Sequence, residues 1–150
     1  MKKSMLLFLS LLLLGTIVKA QNYDHSVGAR ISLTKGISYK ALFDDVSGLE
    51  IIGTSRNRYT AVTGLYELHF HTFSSNNVYL IAGAGGHIGL VNPETNRSFW
   101  VLGVDGIIGV EYSFDRAPFA VTLDVKPALN LVGRKTLDIG WFGVTGRFTF

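Results

Sequence analysis

The side chains of this 150-residue chain that could do chemistry are four histidines and eleven carboxylates, with no cysteine among them. His69 and His71 stand two residues apart, with Glu67 two before them. On an extended strand that spacing puts all three on one face, as zinc ligands would need. The polar face of a strand carries such residues without a metal far more often, and no metal is expected. His87, with Glu94 and Ser98 a few residues on, is the set from which a base and a hydroxyl nucleophile can be assembled. No nucleophile motif surrounds Ser98, so no catalytic residue is assigned. Gly83-Ala84-Gly85-Gly86 is no nucleotide loop, because no helical pattern follows it. No cofactor is expected.

The elements that hold these residues are strands. Eight segments alternate apolar and polar residues: Ser26–Thr34, Ile37–Phe43, Leu49–Arg56, Tyr59–Phe73, Val78–Val91, Phe99–Phe114, Phe119–Leu131 and Ile139–Phe150. Between them lie clusters rich in Gly, Pro, Asn, Asp and Ser: Lys35-Gly36, Asp44 to Gly48, Ser55 to Arg58, Ser74 to Asn77, Val91 to Asn96, Asp115 to Pro118 and Gly133 to Lys135. The last segment is the clearest: Phe142, Val144, Phe148 and Phe150 share one parity, and Thr145, Arg147 and Thr149 the other. Glycines spread through the strands suit a small, sharply curved barrel.

The N-terminus is of another kind. Lys2 and Lys3 precede an apolar run from Met5 to Leu14, and Val18-Lys19-Ala20 ends in a small residue. That is the order of a cleaved signal peptide over residues 1–20, with a run too short to span a bilayer as a helix. No cysteine follows it, so no lipid anchor is expected. Of the fourteen basic residues, Lys2, Lys3 and Lys19 leave with the signal, so residues 21–150 hold eleven basic and eleven acidic residues. A neutral mature domain offers nucleic acid nothing to bind, and without cysteine it has no disulfide framework.

The faces opposite the apolar ones carry Arg30, Lys40, Glu50, Glu67, His69, His71, His87, Asp105, Glu111, Asp124, Lys126 and Arg147. In a barrel that faces lipid this set points inward. Eight strands leave an interior just wide enough for side chains. Arg30, Glu67, Asp105, Glu111, Asp124, Lys126 and Arg147 are then expected to neutralise one another as an interior salt-bridge network that plugs the barrel. Tyr66, Phe70, Trp100, Tyr112, Phe114, Phe142, Phe148 and Phe150 suit girdles at the two membrane interfaces. A soluble periplasmic barrel that carries a ligand would show the opposite orientation. The signal, the terminal phenylalanine and the aromatic strand ends favour the membrane form.

The mature chain resembles the small Gram-negative outer-membrane β-barrel proteins, the eight-stranded OmpX-like group. Lys35 to Lys40, Thr63 to Glu67, Gly103 to Tyr112 and the terminal strand carry the resemblance. It implies an all-β fold, an eight-stranded antiparallel up-and-down transmembrane barrel over residues 21–150. It also implies that the strand ending in Phe148 and Phe150 is read by the barrel-assembly machinery after export by the Sec pathway. With both termini periplasmic, Lys35, Arg56, Arg58, Arg97, Arg134 and Lys135 fall on the outer rim with Glu94. Arginine pairs with phosphate in bidentate fashion. Contact of Arg56, Arg58, Arg134 and Lys135 with lipopolysaccharide is therefore expected, by a monomer with a non-catalytic structural or lipid-contacting role. An enzyme that modifies lipid A in the outer leaflet is the alternative.

Overall fold

A computed structural model of the chain describes residues 24–72, 75–93, 97–133, 136–138 and 142–150. The expected signal peptide lies outside the described residues, as do Arg134 and Lys135.

Ten strands are formed by the described residues: β1 (His25–Ile31), β2 (Lys35–Leu42), β3 (Ser47–Arg56), β4 (Tyr59–Thr72), β5 (Ser75–Val91), β6 (Phe99–Ser113), β7 (Phe119–Val125), β8 (Ala128–Val132), β9 (Thr136–Asp138) and β10 (Phe142–Thr149). They form eight staves. β1 to β6 pair in sequence order, β6 pairs with both β7 and β8, and β7 and β8 pair with β10 and β9 in turn. β10 returns to β1 and closes the ring. Every pairing is antiparallel, so this is an up-and-down barrel with no helix among the described residues.

The seventh stave, expected as one strand from Phe119 to Leu131, is divided at Lys126-Pro127. Proline has no N–H to give the ladder. Its carbonyl still accepts from Gly106 N at 2.8 Å. Ile108 faces Val125 and Asp105 faces Ala128, so the register continues unchanged across the gap.

The first turn also differs from expectation. β1 stops at Ile31, and Lys35-Gly36 belong to β2, paired with Ile31 and Arg30. Ser32 closes the turn earlier: its N–H donates to the Thr34 carbonyl at 3.0 Å, and its hydroxyl accepts from Thr34 N–H at 3.2 Å. Likewise Ser75 to Asn77, expected in a turn, belong to β5. Between β3 and β4, Asn57 takes a positive φ of 47° in a two-residue turn, with Arg56 and Tyr59 paired across it.

Burial alternates along nearly every stave, and its polarity is inverted relative to a soluble protein. Among the described residues, seventeen buried side chains are polar or charged, from Ser26 to Arg147, against seven that are apolar. The large apolar side chains point the other way: Ile37, Ile108 and Phe142 are 71%, 64% and 74% exposed. Aromatic pairs mark the end that bears the termini. Tyr112 meets Phe114 edge-on at 4.8 Å, and Phe119 meets Phe148 at 5.6 Å.

Candidate functional site

The barrel interior holds the chain's polar chemistry in layers. Nearest the termini lies a charged layer. Lys40 on β2 reaches Glu67 on β4 at 2.8 Å and donates to Glu111 on β6 at 3.1 Å and to His69 Nε2 at 3.3 Å. Arg147 on β10 pairs with Glu50 on β3, donates to the Thr122 hydroxyl, and approaches Glu111 at 3.5 Å. The Thr122 hydroxyl in turn donates to Glu111 at 2.9 Å. Inward positions of β2, β3, β4, β6, β7 and β10 thus meet at two cations, Lys40 and Arg147. Both are fully enclosed, at 0% and 1% exposure. Unpaired, ions so deep would each cost several kcal/mol.

Above this layer sits an apolar collar. Ile52, Leu65 and Ile107 pack together as buried residues. Each occupies the inward parity of its strand, one step from a charge: Glu50 next to Ile52, Glu67 next to Leu65, Asp105 next to Ile107.

Beyond the collar, toward the end away from the termini, the interior becomes polar again. Arg30 on β1 grips Asp124 on β7 through both guanidinium Nη atoms, at 2.5 and 2.6 Å. Gly143 makes this possible, because a Cβ there would overlap the Arg30 guanidinium. His87 on β5 is set between Asp105 Oδ2, 2.6 Å from Nδ1, and the Asn130 side-chain amide, 2.8 Å from Nε2. Lys126 donates to the other Asp105 oxygen at 2.7 Å. Gly103 leaves the space for the His87 ring. Arg30, His87, Asp105, Lys126 and Asn130 line a cavity of about 220 Å³ at the mouth, together with Thr34, Thr54, Arg56, Tyr59 and Asp138.

The seven residues expected to form one interior network therefore fall into three groups. Glu67, Glu111 and Arg147 share the charged layer, Arg30 pairs with Asp124, and Asp105 pairs with Lys126. Lys40 and Glu50, on the same inward faces, complete the first group. His69 and His71 do not share a site. His69 is buried against Lys40, whereas His71 is exposed and its ring meets Tyr79 at a tilt, 4.6 Å between centroids. His71 keeps the inward parity expected of it, in regular register with Tyr79, which faces Glu111, and the irregularity against β5 comes only after it, between His71 and Thr72. Among the described residues no three His, Asp or Glu side chains are grouped as metal ligands. His87 and Ser98 also part company, for His87 is held by Asp105 and Asn130 while Ser98 is exposed.

At the rim of the same end, Lys35, Arg56, Arg58 and Arg97 are exposed. At the other end, the Asp44 carboxylate accepts from Val46 N–H and the Ser47 hydroxyl, both at 2.9 Å. These bonds to the turn hold its pKa below the ordinary aspartate value. Phe148 is partly buried and Phe150 exposed, and the backbone of Phe150 exchanges hydrogen bonds with His25 at 2.9 and 3.1 Å.

This arrangement, a closed eight-stave ring with polar filling and an apolar exterior, has a counterpart among solved structures. The chain is similar to the N-terminal β-barrel domain of OprF from Pseudomonas aeruginosa, with a TM-score of 0.69 over 87% of this chain and all of that domain. The fold is of the outer-membrane β-barrel type. At 13% identity the likeness concerns the fold alone. No family model matches the chain, and no curated protein matches it by sequence.

Proposed function

We propose that this protein is an integral outer-membrane β-barrel with a non-catalytic structural role, and that its cationic rim contacts lipopolysaccharide. One observation carries the membrane reading: the outer wall is apolar while the interior is charged. An apolar band around a closed barrel is stable only where lipid surrounds it, and closure leaves no strand edge unsatisfied in the hydrocarbon. A soluble ligand-carrying barrel would need the reverse. The terminal strand and the small size suit the OmpX-like group, and the N-terminal pattern suits export by the Sec pathway. Phe148 and Phe150 would serve as the insertion signal, and the barrel is taken as a monomer.

With both termini periplasmic, Lys35, Arg56, Arg58 and Arg97 lie on the outer rim, and Arg134 and Lys135 extend that set in the sequence. Lipid A phosphates at the same height give these cations a partner of opposite charge. The lipid A-modifying alternative has little to work with. Its best base, His87, has both ring nitrogens occupied, and its proposed nucleophile, Ser98, stands apart from it.

The test is gel migration of the membrane fraction, unboiled against boiled. A mobility shift in outer-membrane fractions is expected. Recovery of the protein in the soluble periplasm would refute the reading. Charge reversal at Arg56, Arg58, Arg134 and Lys135 together should reduce co-purifying lipopolysaccharide, and unchanged association would remove the rim contact while leaving the barrel.

A further inference from the structure

We propose that the cavity at the mouth, opposite the termini, is a binding cup for a small oxyanion, a phosphate or a compact carboxylate. The inference rests on the barrel reading above and shares Arg56 with the lipopolysaccharide contact proposed at the rim.

Hydrogen-bonding capacity in the cup decides the sign of the ligand. Both oxygens of Asp105 are taken, one by Lys126 and one by His87. Arg30, which lines the cup, is held from behind by Asp124, and both oxygens of that carboxylate are taken by it. Asp138, at the rim, already interacts with neighbouring groups. The carboxylates thus have little left to offer a cation. The donors are in surplus. Lys126 spends one N–H on Asp105 and keeps two more. Arg56 lines the cup, and among the described residues no hydrogen bond or ion pair holds its guanidinium, which carries five N–H donors in a planar fork. Tyr59 adds a hydroxyl on the same wall. A site whose spare groups are donors, one of them an unneutralised guanidinium, selects a ligand that accepts and is negative.

The shape sets the size. At about 220 Å³ the cup lies below the range of roughly 300 Å³ and upward that holds drug-sized ligands. The collar of Ile52, Leu65 and Ile107 stands between the cup and the charged layer beneath it. The cup is therefore a dead end, a place to bind rather than a path through. A free anion of phosphate size fits it whole, whereas a lipid would present only its head-group phosphate from above.

Nuclear magnetic resonance on the full mature barrel in a phosphate-free detergent tests this. Inorganic phosphate is titrated against sodium chloride at matched ionic strength, on protein first shown to be heat-modifiable. Saturable movement of the Thr54, Tyr59 and Asn130 amides is expected. It should be roughly tenfold weaker in Arg56→Gln, the loss of one charge-assisted contact, and unchanged in Arg116→Gln, whose side chain is exposed in the turn between β6 and β7, at the end that bears the termini. A second arm uses bicelles doped with diphosphorylated lipid A. Movement of the same amides by lipid A alone would assign the anion to a lipid head group, and movement by inorganic phosphate to a soluble ligand. No movement with either probe in a heat-modifiable barrel, or identical titrations for wild type and Arg56→Gln, would overturn the oxyanion cup and leave the barrel reading intact. Loss of heat-modifiability would instead strike the barrel reading itself.

Discussion

Replacing Arg147 by methionine should be among the most damaging single changes in this barrel. Arg147 is 1% exposed and is the direct ion-pair partner of Glu50. It also supports Glu111, which keeps Lys40 at 3.1 Å and the Thr122 hydroxyl at 2.9 Å when the arginine is gone. Glu50 has no such reserve, since its second carboxylate oxygen already lacks a hydrogen bond. Truncation of one partner of a buried ion pair leaves an uncompensated charge and costs about 3–5 kcal/mol. Removing both charges, as in Arg147→Met with Glu50→Gln, deletes that uncompensated charge, and the double variant should recover most of the loss. The assay is equilibrium urea unfolding from lipid vesicles, followed by tryptophan fluorescence. With a denaturant slope of about 2 kcal/mol/M, the single variant's midpoint should fall by roughly 1.5–2.5 M. The reasoning fails if the single variant shifts by less than 0.5 M, or if the double variant is as unstable as the single one.

Three further outcomes follow from the same geometry. Ile108→Lys places a charge on an outward position that is 64% exposed, and should cost about 2–4 kcal/mol if that wall meets the bilayer centre. A cost within the roughly 0.5 kcal/mol of an ordinary surface change would place the wall in water. Gly103→Ala puts a methyl group into the His87 ring and the Leu129 carbonyl, so a loss of about 1–3 kcal/mol is expected with displaced His87 ring resonances. Unmoved resonances would contradict the packing described. The Asp44 turn should respond to acid. A carboxyl whose folded pKa is depressed contributes stability above its unfolded value, and that contribution disappears as pH falls through the folded value. Amide protection at Val46 and Ser47 should therefore weaken on acidification below about pH 4, and Asp44→Ala should show the weakened protection at every pH.

The alternation of strands was plain in the sequence because a pleated strand with one face in lipid and one in a polar interior repeats every two residues. Tyr66, Leu68 and Phe70 against Glu67 and His69 is such a case. The charges at inward parity were legible for the same reason. Their grouping was not. Parity says that Arg30 and Asp124 both face inward, but only the register between staves, fixed by β10 between β1 and β7, brings them together. The collar was hidden by the opposite effect: Ile52, Leu65 and Ile107 sit at the polar parity, and period-two reading counts them as interruptions. The early stop of β1 had a signal in Ser32 and Thr34, whose hydroxyls compete with the ladder for backbone partners.

The ring closes in a way that bears on how the chain folds. Every other stave lies beside a neighbour in sequence, joined by a short connection. The pairing of β1 with β10 alone joins distant segments: Val27 faces Phe148 across about 120 residues. Loop-closure entropy grows with the logarithm of that span, to about 4 kcal/mol for a free chain against about 1 kcal/mol for a hairpin turn. Hairpins can zip one after another and shorten the effective span, so this contact is assembled most cheaply at the end. It is the one joint whose formation turns a curled sheet into a tube. Before it forms, two strand edges are bare, and the polar filling of the interior has an open side. A barrel of this kind therefore spends its assembly as an open ribbon with one vulnerable gap.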